Sequence, residues 1–191
     1  EAVETMTELI EYYKGIFTIL SSCASRQLEE VTFRRTVIPV QELLDAAGKY
    51  FKKLMKNRPE RIELEIEPME AKVIGDVNQL RFLLENLIDE ALTVREDGVI
   101  RLQARKDNEY IRFLFTDTRR EKSVEELNQL FYPNLARMTS GEKGELRGTE
   151  YLVCKQIIRD HDEFAGRRGC RINAEPAEGG GFTVYFTIPR R

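Results

Sequence analysis

The sequence predicts an α+β fold: a two-layer sandwich of a mixed, mostly antiparallel sheet and a helical layer, preceded by a long N-terminal helix. Three observations carry this. Residues 99–104 with 110–116, and 170–174 with 182–188, alternate apolar and polar side chains around polar or glycine turns, the pattern of hairpins. Apolar residues spaced by threes and fours mark helices over 40–55, 76–92 and 148–160. Hairpins interleaved with amphipathic helices pack as one sheet under one helical layer.

The elements follow in order. Residues 1–30 read as one helix in which Val3, Met6, Ile10, Tyr13, Phe17, Leu20, Ala24 and Gln27 form a heptad seam, broken only at Gln27. A lone helix of this kind has nothing to cover its stripe, so pairing with another chain or with upstream sequence is expected rather than packing on its own domain. Residues 31–39 form a β-like run, and a helix over 40–55 sets Leu43, Leu44, Ala47, Phe51 and Leu54 on one side. Residues 61–67 alternate strictly and predict a half-buried strand.

Asp76 caps the next helix, and Gln79 three residues later completes a capping-box-like pair. Leu80, Leu83, Leu84, Leu87, Ile88 and Ala91 face a core, while Asn86 and Glu90, four apart, share a face beside that stripe. By itself this segment is a core helix with a solvated side. The stretch 106–109 turns the first hairpin. Residues 118–147 are charged and glycine-containing, with one helical piece near 124–131. A helix over 148–160 and a hairpin turning at Gly179-Gly180-Gly181 close the chain.

Composition bounds the function. A chain of 191 residues with 41% hydrophobic residues suits one domain with an appendage. A net charge of −3 and the lack of a Lys/Arg run argue against nucleic-acid binding. Cys23, Cys154 and Cys170 are unevenly spaced and accompanied by one histidine, which is not a zinc pattern; reduced, intracellular thiols are expected. No apolar run reaches the ~18 residues that would span a bilayer.

Six segments then fall in a recognisable order: Val37-Ile38-Pro39-Val40-Gln41-Glu42-Leu43-Leu44; Gly75-Asp76 with Asn86-Leu87-Ile88-Asp89-Glu90-Ala91; Phe113-Leu114-Phe115-Thr116-Asp117-Thr118; Leu130-Phe131-Tyr132-Pro133; Gly148 through Lys155-Gln156-Ile157-Ile158 to His161; and Gly181-Phe182-Thr183-Val184-Tyr185-Phe186. From residue 31 onward the chain resembles the catalytic and ATP-binding domain of sensor histidine kinases, in the superfamily shared with gyrase and heat-shock-chaperone ATPases. Each motif is weak alone, and their order is specific to the fold rather than to its activity.

The resemblance implies two regions. Residues 1–30 would be the second helix of a dimerisation and phosphoacceptor bundle, and 31–191 a catalytic and ATP-binding-like domain. It implies ATP and Mg2+ as cofactors. Asp117 would accept a hydrogen bond from the adenine amino group, Asn86, Thr118, Gly148 and Thr149 would line the nucleotide, and Glu90 would stand where the family carries its magnesium-binding asparagine. It also implies a homodimer through the N-terminal helix, a response regulator as partner, and a cytoplasmic location, with any membrane anchor in parts of the protein outside these residues.

The chain departs from the family pattern in places that matter chemically. Glu90 without a metal would repel a triphosphate by on the order of 4 kcal/mol per unit charge at ~4 Å. Asp117-Thr118-Arg119-Arg120-Glu121 replaces the expected Asp-x-Gly-x-Gly, so side chains occupy positions that normally need none. Glu150, at a helix start, would compete with phosphate for backbone amides. Two readings therefore stand. One is a kinase core that binds Mg-ATP and phosphorylates a histidine on an upstream helix. The other is a catalytically dead pseudokinase, a dimeric signalling scaffold that docks a response regulator. His161 and Cys154 are expected to be structural, and residues 163–168 form an insertion suited to a partner surface.

Overall fold

The computed structural model describes residues 2–10, 13, 33–132, 139–140 and 146–191. In α1 (residues 2–10) the seam residues Val3, Met6 and Ile10 are exposed, as is Tyr13. The remainder of the helix predicted over 1–30 lies outside the described residues. The other elements are β1 (Thr36–Pro39), α2 (Val40–Met55), β2 (Ile62–Ile66), β3 (Lys72–Gly75), α3 (Val77–Ala91), β4 (Gly98–Asp107) and β5 (Tyr110–Asp117). After them come α4 (Val124–Asn128), β6 (Thr139–Ser140), β7 (Leu146–Arg147), α5 (Glu150–Phe164), β8 (Ile172–Pro176) and β9 (Phe182–Pro189).

Five strands form the main sheet in the order β2-β4-β5-β9-β8, with β2 parallel to β4 and every other pair antiparallel. The period of two along β5 buries Ile111, Phe113 and Phe115. Their partners on β9, Ile188, Phe186 and Val184, are buried with them, and the Phe113 and Phe186 rings stack at 4.8 Å. α3 packs between α2 and α5, and its buried stripe Leu80, Leu83, Leu84, Leu87 and Ile88 closes the core. The mixed, mostly antiparallel sandwich is as the sequence predicts.

Four local expectations need correction. Strand β3 was not expected, because four residues are too short to show a period; antiparallel pairing with β1 defines it. The strands β6 and β7 within 118–147 were likewise not expected. Helix α5 runs to Phe164, one turn beyond the predicted end, so the front of the 163–168 insertion is helical. Its C-cap is Ala165, and Gly166 follows with φ 91°, the left-handed stop signal for a helix.

The capping box is the fourth. Asp76 Oδ1 accepts from Asn78 N and Gln79 N at 3.0 and 3.1 Å, as a cap should. Gln79 does not reciprocate, and its Oε1 is buried without a partner. The Asp76 N–H instead donates to His161 Nε2 at 3.1 Å, and Asp76 Oδ2 accepts from Arg34 N at 2.9 Å. One carboxylate thus ties the segment before β1 to the start of α3. Asp76→Ala should cost about 2 kcal/mol in urea unfolding, the upper end of cap losses, because a third amide is orphaned with the two helical ones.

Candidate functional site

The alternation along β5 decides where its last residue points. After Ile111, Phe113 and Phe115, Asp117 continues on the inward face and is only 3% exposed. A carboxylate aimed into a core must find charge and hydrogen-bond donors. Asp117 finds both two residues ahead. Arg119 Nε donates to Oδ1 and Nη2 to Oδ2, each at 2.9 Å, and the Arg119 backbone N–H adds a bond to Oδ1 at 3.0 Å.

The rest of the guanidinium is also engaged. Nη2 donates to Ala91 O at the end of α3, and Nη1 donates to Val94 O and Glu96 O, both at 3.0 Å. All five N–H groups of an arginine fork therefore have acceptors, and the side chain is 1% exposed. Arg119 both neutralises Asp117 and donates to carbonyls at the end of α3 and in the loop that follows it. Room for its stem comes from Gly98, which has φ 145° and where a Cβ would lie 2.6 Å from Arg119 Cγ.

The neighbouring candidate residues are held with equal economy. Thr118 Oγ1 donates to Val99 O at 2.6 Å, so its hydroxyl is turned onto β4. A Cβ at Gly181 would stand 2.1 Å from Asp117 O, which only glycine in that turn permits. Asn86 is buried, and its Nδ2 donates to Phe82 O of its own helix at 2.8 Å. Asp89 accepts from Tyr50 OH of α2 at 2.6 Å; burial, and then this bond, push the phenol pKa up.

Glu90 on α3 and Glu150 in the first turn of α5 stand over one seam between these helices. Both raise the pKa of the buried Cys154 thiol there, after the larger effect of burial. Glu150 does not take the α5 amides as the sequence suggests. Its Oε2 is buried without a hydrogen-bond partner, and the cap residue Thr149 gives α5 no side-chain bond. Gly148, before it, has φ 84°. Among the described residues no group of three or more His, Cys, Asp or Glu side chains converges to hold a metal.

Through Arg119, Asp117 is tied to the C-terminal end of α3, the helix that carries Asn86 and Glu90, while Gly148 and Thr149 precede the adjoining α5. The acceptor that an adenine amino group would need is already in use and out of solvent. Asn86 commits one amide hydrogen to Phe82 O, and Thr118 commits its hydroxyl hydrogen to Val99 O. Sequence reasoning saw Arg119 only as a lost glycine. The signal for its real position was the inward phase of Asp117, which demands a cation nearby.

His161 belongs to this framework rather than to chemistry. Its Nδ1–H donates to Ile157 O at 2.8 Å, leaving Nε2 as the acceptor for Asp76 N, and its ring meets Phe33 edge-on at 4.8 Å. Burial lowers its pKa to about 4, against smaller raising effects from the Ile157 carbonyl and the Asp76 charge.

Comparison with known structures agrees with this architecture. The catalytic domain of histidine kinase ThkA is 21% identical with a TM-score of 0.63, over 82% of this chain and 97% of that one. The mycobacterial sensor histidine kinase MprB is 18% identical with a TM-score of 0.64, over 83% and 99%. ThkA in complex with the response regulator TrrA aligns over 98% of this chain and 52% of that one, at 19% identity and a TM-score of 0.63. At such identities the likeness is one of fold. No match was found among curated proteins. In sequence, residues 75–191 match the family described as histidine kinase-, DNA gyrase B- and HSP90-like ATPases. With most of the chain inside that match, from the end of β3 to Arg191, the protein belongs to this ATPase family.

Proposed function

We propose that the chain is the core of a two-component sensor protein whose ATPase-type domain signals as a nucleotide-independent scaffold, dimerising through residues 1–30 and docking a response regulator. One observation carries this: the buried, five-bonded Arg119 closed over Asp117. For adenine to use Asp117, the guanidinium would have to leave four acceptors, and breaking a buried ion pair costs about 3–5 kcal/mol. A nucleotide bound at micromolar strength has about 8 kcal/mol in all, so the exchange would consume much of it. Glu90 and Glu150 add negative charge where a triphosphate would lie.

The scaffold reading assigns residues 31–191 to the domain and 1–30 to a bundle helix, supported by the exposed seam on α1. The response regulator is supported by ThkA, which has been solved with TrrA. A cytoplasmic setting agrees with the finding that no helix among the described residues is long and apolar enough to cross a membrane.

The second reading, a working kinase that binds Mg-ATP and phosphorylates an upstream histidine, is favoured by membership of an ATPase family. Calorimetric titration with Mg-ATP separates the two. The scaffold predicts no saturable heat up to about 1 mM nucleotide, and a gain of binding in the Arg119→Gly, Glu90→Asn double variant. Saturable binding by the native chain that disappears in an Asp117→Ala variant still folded by circular dichroism would overturn the scaffold and favour the Mg-ATP-binding reading.

A further inference from the structure

A concavity lies at the end of the sheet opposite Asp117. Pro189, in its wall, pairs with Tyr110, seven residues from Asp117 along β5 and so roughly 23 Å away. The groove holds about 480 Å³. Its floor is apolar: Val37 and Ile74, paired across β1 and β3 and so projecting on one face, with Ala165 and Pro189 beside them. Val37 is 41% exposed, and Phe164, the residue before Ala165, is 50% exposed. The rim is basic, formed by Arg35 and Arg167.

We propose that this groove docks an acidic peptide segment of a partner protein, with one or two aliphatic anchors on the floor and flanking carboxylates on the arginines. Charge complementarity argues for that occupant. The chain carries 33 acidic residues against 30 basic ones, yet no carboxylate lines the groove. Among the described residues Arg35 has no ion pair. Its guanidinium lies over the backbone of Gly166, where a Cβ would come within 2.6 Å of Nη1, so the loop after α5 holds it at the mouth. Arg167 Nη1 meets the exposed Glu109 carboxylate at 3.2 Å and donates to Glu109 O at 3.3 Å; the ion pair is solvated, and a better-placed carboxylate can replace it at little cost. Free phosphate would leave the apolar floor uncovered, and a bilayer surface cannot enter a concavity of this size. The proposal is independent of whether nucleotide binds, and it gives the 163–168 insertion a role.

Fluorescence anisotropy with the full chain tests it, using a fluorescein-labelled peptide Glu-Asp-Glu-Leu-Val-Glu-Asp-Glu and the counterpart with lysine at every acidic position. The acidic peptide should bind, more weakly as salt rises, and the lysine peptide should not. The Arg35→Glu, Arg167→Glu double variant should weaken binding by roughly tenfold or more with an unchanged urea midpoint, since both side chains are exposed. Val37→Asp should weaken it through the floor. Absence of acidic-peptide binding, equal binding of both peptides, or indifference to the arginine variant would overturn the proposal. Retention on phosphatidylserine vesicles without peptide binding would overturn it as well, in favour of a lipid surface. Because the nucleotide titration reads Arg119 and this one reads Arg35 and Arg167, either result stands apart from the other.

Discussion

Arg119→Ala is expected to destabilise the domain by about 3–5 kcal/mol, the loss seen when one partner of a buried ion pair is removed. The substitution leaves the buried Asp117 carboxyl without its cation and strips donors from the carbonyls of Ala91, Val94 and Glu96. Arg119→Lys should recover only part of this, because an ammonium has three donors and no planar fork to span a carboxylate and a helix end together. Asp117→Ala alone should also destabilise, yet the double alanine variant should lose less than the two single losses combined, since neither charge is then left alone. Urea unfolding followed by circular dichroism reads all four proteins. If Arg119→Ala lowered stability by less than about 0.5 kcal/mol, a typical surface effect, the closed-site account would fail. This expectation also bears on function. A side chain on which the fold depends to this degree is a fixed part of the domain, and does not behave as a gate that opens for nucleotide.

Stability should fall by about 3 kcal/mol as pH drops from 6.5 to 4, through His161 alone. The folded protein holds this imidazole neutral, with its pKa lowered to about 4, whereas the unfolded chain protonates near 6.5. The unfolded state therefore binds the extra proton in this window, and unfolding becomes easier as acid is added. Above 6.5 the contribution is complete; below 4 both states are charged and the loss levels off. Asp162, whose pKa is lowered by bonds from Gly169, Arg168 and Cys170 against the opposing effect of burial, loses its own contribution only at still lower pH. In His161→Gln most of the slope between 6.5 and 4 should disappear, because an amide can accept from Asp76 N without titrating; what remains near 4 belongs to carboxylates such as Glu60, whose pKa is lowered. A wild-type profile flat across that interval, or a slope undiminished in His161→Gln, would sink the assignment.

Most of the framework was legible because it rests on short-range regularities. The helix over 40–55 has the bounds read from its apolar spacing, and the hairpin turning at 108–109 was readable from alternation on either side. Strand β3 was not legible, since four residues carry too little periodicity to distinguish them from loop. Gln79 was misread for a related reason. The spacing of a capping box was present, but His161, 85 residues distant, claimed the amide first.

The candidate site divides in the same way. Asp117, Asn86 and Glu90 could be picked out as polar groups on phased elements, and their departures from an ATP-binding pattern could be weighed from residue type alone. That Arg119 would turn back onto Asp117 could not, because the choice depends on three carbonyls contributed by α3 and the loop behind it.

By itself, the order of periods, caps and turns determined that this chain builds a sheet under a helical layer, and that one carboxylate ends a strand facing inward. Only the tertiary structure decided what that carboxylate meets. Burial raises the cost of an unpaired charge far above its cost in water, and the partner that relieves it is selected by positions in space that no local pattern encodes.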